Sequence, residues 1–380
     1  MLDPENRKII LLALLAVAVV FAGNSGWLSP GGLNAAAAAW KVWWDTWHIA
    51  VYVSAGGIIL GGLVFLFWNR WQRSLAQQQM LARVASGPTL LLLPRADWRP
   101  IQPANVQVWT RMADALPHEE HLSFEISGSE EGLAFGLHAS TEGLRAAMTQ
   151  FKSEWPGLHS KAVQTDPAQA PNGWQVWWVE LTPADPEQAV LAVSDDPLRA
   201  MLIEVNGVLG QGRGLVQVIA RRNFGMKKTL GQKAFAARDE ETRSKGVRAL
   251  RQQDAKRYEE RAGQAYLDVT LRAVGMADTE ERAQGIARGL ARSIAASFGG
   301  NNPVQPMQQG RDPQPVLLRL PGKHSPWASS DLAYLAHLAG SDLIQLAPRL
   351  MTAPARYLPA DPEMRLVMDL HRTAFLEGAA

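Results

Sequence analysis

His121-Leu-Ser-Phe-Glu-Ile-Ser-Gly-Ser-Glu-Glu-Gly-Leu-Ala-Phe-Gly-Leu-His-Ala139 reads as two strands, 121–127 and 133–139, closed by a short polar turn over 128–132. Phe124, Ile126, Phe135 and Leu137 recur at every second residue, the spacing that gives a strand one apolar face. A short turn bounded by Gly128 and Gly132 is of the kind that closes a hairpin. Upstream, 89–93 predicts a strand and 104–116 a helix. Downstream, 141–155 predicts an amphipathic helix capped at Thr141 and ending before Pro156 and Gly157, followed by a weak strand. The order is βαββαβ.

A break over 167–173, rich in chain-breaking residues, opens a second series. Its elements are a strand at 174–181, a helix at 197–209, strands at 215–220 and 266–274, a helix at 279–298 and a last strand before Pro313. The same order thus occurs twice, and a split βαβ pattern suits a ferredoxin-like sheet covered on one side by two helices. The expected fold class is α+β: two N-terminal transmembrane helices, then tandem ferredoxin-like domains, the second with a long helical insertion. The boundaries read as 1–73 for the membrane anchor, 88–165 and 174–312 for the two domains, 222–264 for the insertion and 313–380 for a C-terminal tail. Within the tail, 316–320 looks strand-like and 329–338 helical, too little for a third full domain. The insertion replaces the tight turn of the first copy and holds few large apolar residues, Leu230, Phe235, Val247 and Leu250. A helix polar nearly all round cannot be buried, so it is expected to project.

The apolar run 9–23 follows Arg7 and Lys8 and reaches spanning length only when extended to Leu28. Alone it also fits a cleaved signal peptide. The second run, 49–68, has no charge and is long enough to span, which favours two membrane helices and contact with the lipid bilayer. Trp40, Trp43, Trp44 and Trp47 share one helical face between the runs, where indoles suit the membrane interface, and Trp68 and Trp71 mark the opposite boundary. Arg70, Arg73 and Arg83 follow the second run while only Lys41 lies between the two, so both termini are expected on the cytoplasmic side of a bacterial inner membrane. Gly57 and Gly61 form a small-xxx-small pair that suits either a homo-oligomer contact or packing on the chain's own first helix.

With 380 residues the chain has room for two or three domains of roughly 100–200 residues. It has no cysteine, which removes disulfides, thiolate ligands and a cysteine nucleophile and fits a reducing compartment. A formal charge of +2 is too small for a claim about the whole surface. Gly207, Gly210, Gly212 and Gly214 follow a helix and precede a strand, the reverse of a phosphate-binding loop, and read as a helix stop and turn. His118, Glu119, Glu120 and His121 read as a solvated turn rather than a metal site. Asp195 and Asp196 suit a helix N-terminus. Serine and histidine spacings match no hydrolase pattern. The chain is therefore expected to be no enzyme and to hold no cofactor.

The strongest functional signal is the insertion and its approach. Arg221, Arg222, Lys227, Lys228, Lys233, Arg238, Arg243, Lys245, Arg248 and Arg251, with Lys256 and Arg257, outnumber the acids there about two to one. Such an arm suits a solvated helix with internal ion pairs, an acidic protein, DNA or anionic lipid.

Leu122-Ser-Phe-Glu-Ile126, Glu154-Trp-Pro-Gly157, Tyr266-Leu-Asp-Val-Thr-Leu-Arg272 and Ser330-Asp-Leu-Ala-Tyr-Leu-Ala-His-Leu338 resemble the N-terminal region of type IV secretion coupling ATPases from Gram-positive-type conjugative elements. The likeness covers roughly 90–358. In that family a membrane anchor and this region precede a hexameric motor that moves DNA or protein through a secretion channel. No nucleotide-binding motif occurs here, so the resemblance implies a non-catalytic partner of a separately encoded motor ATPase, or a detached front half. The expected function is a membrane-anchored scaffold of a conjugation or type IV secretion machine. The alternative is an inner-membrane ligand-binding or sensory protein, which a hydrophobic cleft with convergent polar groups between the domains would favour.

Overall fold

The computed structural model describes residues 61–353, apart from 73, 77, 100, 118–119, 131, 156, 164, 193–195, 209, 240–244 and 301, together with positions 38, 41, 42 and 45. The side chains of 191, 239 and 245–248 are also outside it. Contacts divide the chain into Met1–Ala76 and Gln77–Ala380.

In the first unit, residues 61–72 are helical and Leu63, Val64, Phe65, Leu66, Phe67, Trp68 and Trp71 are all exposed. Trp68 and Trp71 meet edge to face at 5.3 Å. The expected first span, residues 49–60 of the second, Gly57 and the tryptophans at 40, 43, 44 and 47 lie outside the described residues. Among the described residues no helix is long and apolar enough to cross a membrane.

The second unit is built on a nine-stranded sheet. Its first half contains β1 (Thr89–Leu93), α1 (Gln102–Ala115), β2 (His121–Ser129), β3 (Gly132–His138), α2 (Thr141–Glu154) and β4 (His159–Ala162). The second half contains β5 (Gln175–Pro183), β6 (Leu191–Ala192), α3 (Pro197–Gly207), β7 (Arg213–Arg222), α4 (Met226–Asp239), α5 (Lys245–Ala262), β8 (Tyr266–Ala277), α6 (Glu280–Ala296), β9 (Phe298–Gly299) and β10 (Val304–Gly310). A returning segment adds α7 (Gln314–Leu317), β11 (Ser325–Ala328), α8 (Ser329–Leu335) and α9 (Ser341–Leu346).

The strand order is β10-β5-β8-β7-β2-β3-β1-β4, with β11 also paired to β8. Each half therefore runs last, first, third, second in its own four long strands. The halves join through their second strands, Phe124 opposite Val218 and Ile126 opposite Val216 in an antiparallel register. The domains read as tandem thus share one sheet, while β6 and β9 pair separately.

Alternate residues explain the core. Leu122, Phe124 and Ile126 of β2, Val216 and Val218 of β7 and Leu267, Val269 and Leu271 of β8 join Trp109, Phe151, Leu202 and Leu290 from four helices in one buried cluster. Each such side chain contributes about 1.5–3 kcal/mol on burial. The Trp109 ring meets Phe124 at 6.3 Å and Phe151 at 6.1 Å, both edge to face.

Local signals fix the helix starts. Ser140, one residue before the expected cap, accepts the Gly143 N–H at 3.0 Å, and Asp196 accepts that of Leu198 at 2.9 Å. Gly207 closes α3, and Gly210, at φ 86°, makes the turn into β7. The hairpin between β2 and β3 is tighter than expected, because pairing continues to Ser129 opposite Gly132. Gly132 has φ 132° and packs against the Arg349 carbonyl, so a side chain there is excluded twice over.

Three expectations are corrected. Residues 316–320 are not a strand: Pro313 and Pro315 start the short helix α7, and Arg319 leaves it with φ 49°. Helix α8 stops at Leu335, where the Trp109 indole takes the freed Ala336 carbonyl at 2.6 Å. The turn at 118–121 is not solvated throughout, since Glu120 and His121 are buried and His121 already belongs to β2. His118 and Glu119 lie outside the described residues.

Candidate functional site

The insertion folds as α4 and α5, which pack on each other. Its root is held by apolar burial: Leu230 and Met226 meet Tyr266 and Ala328, with Tyr258 and Ala262 at the margin. Leu230 is thus a core residue, whereas Phe235 and Leu250 are 68% and 64% exposed.

Most of the cations that drew attention to the arm have partners close by. Arg221 bonds Asp268 at 3.3 Å and His324 at 2.6 Å. Arg222 reaches the Asp114 carbonyl at 3.3 Å and lies over the Phe224 ring. Lys233 pairs with both oxygens of Glu187, and that hydrogen bond raises its pKa. Arg238 meets Glu259 at 2.6 Å, Arg257 meets Asp254 at 3.2 Å and Lys256 faces Glu260 at 3.9 Å. Exposed pairs of this type add about 0–1 kcal/mol each, but they consume charge that phosphate would need. Lys227 and Lys228 are exposed in the first turn of α4, with no ion pair among the described residues. Arg243 and the side chains of Lys245 and Arg248 lie outside the described residues, and Arg251 is half-buried on α5.

A second constellation was not singled out by sequence reasoning. Glu125, Gln217, Arg272 and Glu180 stand directly opposite one another on β2, β7, β8 and β5, a polar row across the sheet face covered by the segment around α7. All four are buried. Arg272 donates to Glu180 at 2.7 Å, to Gln217 at 3.2 Å and to the Leu320 and Pro315 carbonyls at 2.9 and 2.8 Å. Gln217 in turn donates to Glu125 and to the Val316 carbonyl, both at 3.0 Å. Arg319 completes the row, donating to Glu125 at 2.9 Å and pairing with Asp166.

The returning segment is therefore a strap whose backbone carbonyls satisfy the buried donors of the sheet. Burial opposes the Arg319 charge, yet the facing carboxylates of Glu125 and Asp166 outweigh it and raise its pKa. Asp166 is held below the usual carboxylate range, burial being overcome by its bonds to Arg319. His138 accepts from Thr89 and donates to the Val84 carbonyl, both at 2.8 Å, which ties residues 78–85 to the sheet. Its pKa is lowered by burial and by Arg319. His121 is pushed down to about 4, mainly by burial, and neither ring nitrogen has a hydrogen-bond partner.

Each of the strings 122–126, 154–157, 266–272 and 330–338 contributes a buried polar anchor. Glu125 and Arg272 belong to the row, Trp155 donates to Asn105 at 3.1 Å, and Asp331 takes Arg261 at 2.9 Å. These residues hold elements together, and every charge in the row faces an opposite charge or an amide. Among the described residues no group of three metal-ligating side chains converges. No family model matches the chain, and no curated protein is significantly similar to it.

Proposed function

We propose that the chain is a membrane-anchored scaffold of a conjugation or type IV secretion machine, with its folded part in the cytoplasm, where it recruits a separately encoded motor ATPase. The observation that carries this reading is the helix over 61–72, whose large apolar side chains face outward without protein cover. Water does not support a surface of that kind and a bilayer does. Arg70 near its end and Arg73 and Arg83 beyond it support a cytoplasmic side there. Gly61, which has open space beside it, offers a close helix–helix contact for a homo-oligomer.

We read the two halves as tandem ferredoxin-like copies fused through β2 and β7. Their shared strand order and the helices against one sheet face support this. The resemblance of the four strings to the coupling-ATPase region supports the machine. The arm is the docking element: exposed Phe235 and Leu250, with exposed Lys227 and Lys228 on the same two-helix arm, suit an acidic protein face with apolar spots better than DNA, because much of the remaining charge is paired internally.

The test has two parts. The chain should resist a carbonate wash and be spared by protease added to sealed right-side-out cells; release by the wash or digestion from outside removes the anchor. The motor ATPase encoded beside it should co-purify with the full chain and be lost when Lys227→Glu, Lys228→Glu and Phe235→Ser are combined. Retention of the motor by that variant removes the arm from the interface. Salt-sensitive DNA binding lost in the same variant would instead assign the arm to phosphate.

A further inference from the structure

We infer that the crease on the helical side of the sheet, where the start of α1, the cap of α3 and the α8–α9 segment come together, binds a small zwitterion of the amino-acid or dipeptide class. The crease has a volume of about 620 Å³ and carries charged groups of both signs, Arg99 on one side and Asp196 and Asp342 on the other. That volume lies within the range of about 300–1,000 Å³ common for small-ligand sites. A guest carrying charges of both signs finds an opposite charge on each wall.

Asn105 is 2% exposed and its Oδ1 accepts the Trp155 indole N–H at 3.1 Å, which fixes the amide. Its Nδ2 is the group left over, and it has no partner among the described residues. Gln102 Nε2, one turn earlier, is buried and also without a partner. A buried donor without an acceptor is costly, so the Gln102 amide favours a guest that accepts from it. Arg99 adds a cation with no ion pair among the described residues. Together these three groups suit a carboxylate.

The opposite wall supplies acceptors. Asp196 Oδ1 already takes the Leu198 N–H at 2.9 Å and His337 at 3.1 Å, which orients the carboxylate and leaves Oδ2 for a guest. Asp342, at the start of α9, is a second carboxylate with no ion pair among the described residues. An ammonium held there and a carboxylate held by Arg99 and the amides are the two ends of an α-amino acid or dipeptide. A guest so held bridges both halves of the sheet and the returning segment. This inference adds a ligand to the scaffold and does not rest on the scaffold reading.

The test is equilibrium dialysis of the full chain in detergent with radiolabelled glycine, glutamine and glycylglycine, using acetate and ethylamine as single-charge controls. At least one zwitterion should bind saturably, about tenfold or more tighter than either control. Arg99→Ala and Asp342→Asn should each weaken it about tenfold, while Arg111→Ala, outside the crease, leaves it unchanged. Both crease residues are at the rim, and an unchanged melting temperature verifies that the variants fold. Absence of saturable binding by any of the three zwitterions at millimolar concentration overturns the inference. So does binding that survives both substitutions undiminished.

Discussion

Arg319 and Glu125 lie 194 positions apart in the chain and meet in its interior, the guanidinium donating to both carboxylate oxygens at 2.9 and 3.2 Å. The pair fastens the strap to the middle of the β2–β3 hairpin. Arg319 adopts φ 49°, a backbone conformation that costs a non-glycine residue about 1 kcal/mol or more, and its buried bonds to Glu125, Asp166 and the Leu317 carbonyl hold it there.

Removing one member leaves uncompensated charge in the interior. Arg319→Met is expected to lower unfolding free energy by about 3–5 kcal/mol in a urea titration. Adding Glu125→Gln to that variant should cost less than the sum of the two single changes, because the orphaned carboxylate goes with it. Additive losses would show that the two side chains do not act as a pair.

His121 makes the fold sensitive to mild acid. Its folded pKa, about 4, lies below the ordinary 6.5, so between those values the unfolded chain binds a proton that the folded one refuses. Its contribution is complete above pH 6.5, declines as pH falls toward 4 and amounts to about 3 kcal/mol over that window. The loss linked to Asp166 comes lower, as pH falls past its depressed carboxylate range. His121→Gln should flatten the melting-temperature profile between pH 7 and 4.5. An unchanged slope would assign the acid sensitivity elsewhere.

Two glycines should respond in opposite directions. A methyl at Gly275 runs into the Ala283 carbonyl of α6 and lies 2.7 Å from the Ala287 nitrogen, both backbone atoms that cannot rotate away. Gly275→Ala is expected to cost about 1–3 kcal/mol. Gly231 sits inside α4 with open space around it, and Gly231→Ala should stabilise by about 0.5–1 kcal/mol through helix propensity. Thermal melts of the two variants check both signs.

Leu230 decides whether the arm stays docked. Leu230→Ala should cost about 2–5 kcal/mol locally and raise amide exchange in α4, with β8 still protected. Phe235→Ser, at an exposed position, should leave exchange unchanged. Equal exchange in α4 for both variants would remove Leu230 as the anchor.

The elements of the sheet were legible because period-2 and 3.6-residue patterns are local properties. Phe124, Ile126 and Val218 declare a face by spacing alone. The polar row was not legible for the same reason: Ser123, Glu125 and Gln217 alternate with those apolar residues as solvent-facing positions do, and only the strap from 313 onward puts them inside. The partners of Arg221, Arg222 and Lys233 were not legible because Asp268, Asp114 and Glu187 are distant in the chain. The one-residue error at the α2 cap has a local cause, since Ser140 and Thr141 are both able to cap and the backbone at Ser140 turns the right way.

The β2–β7 seam has a geometric consequence. Because those strands run in opposite directions, the two-residue bend after Ser129 and the excursion after Arg222 leave from opposite rims of the same slab. One rim is sealed, with the Arg349 carbonyl pressed against Gly132, and the other bears a two-helix outgrowth. The sheet thus has one closed rim and one that carries an outgrowth, an asymmetry between two halves with the same strand order.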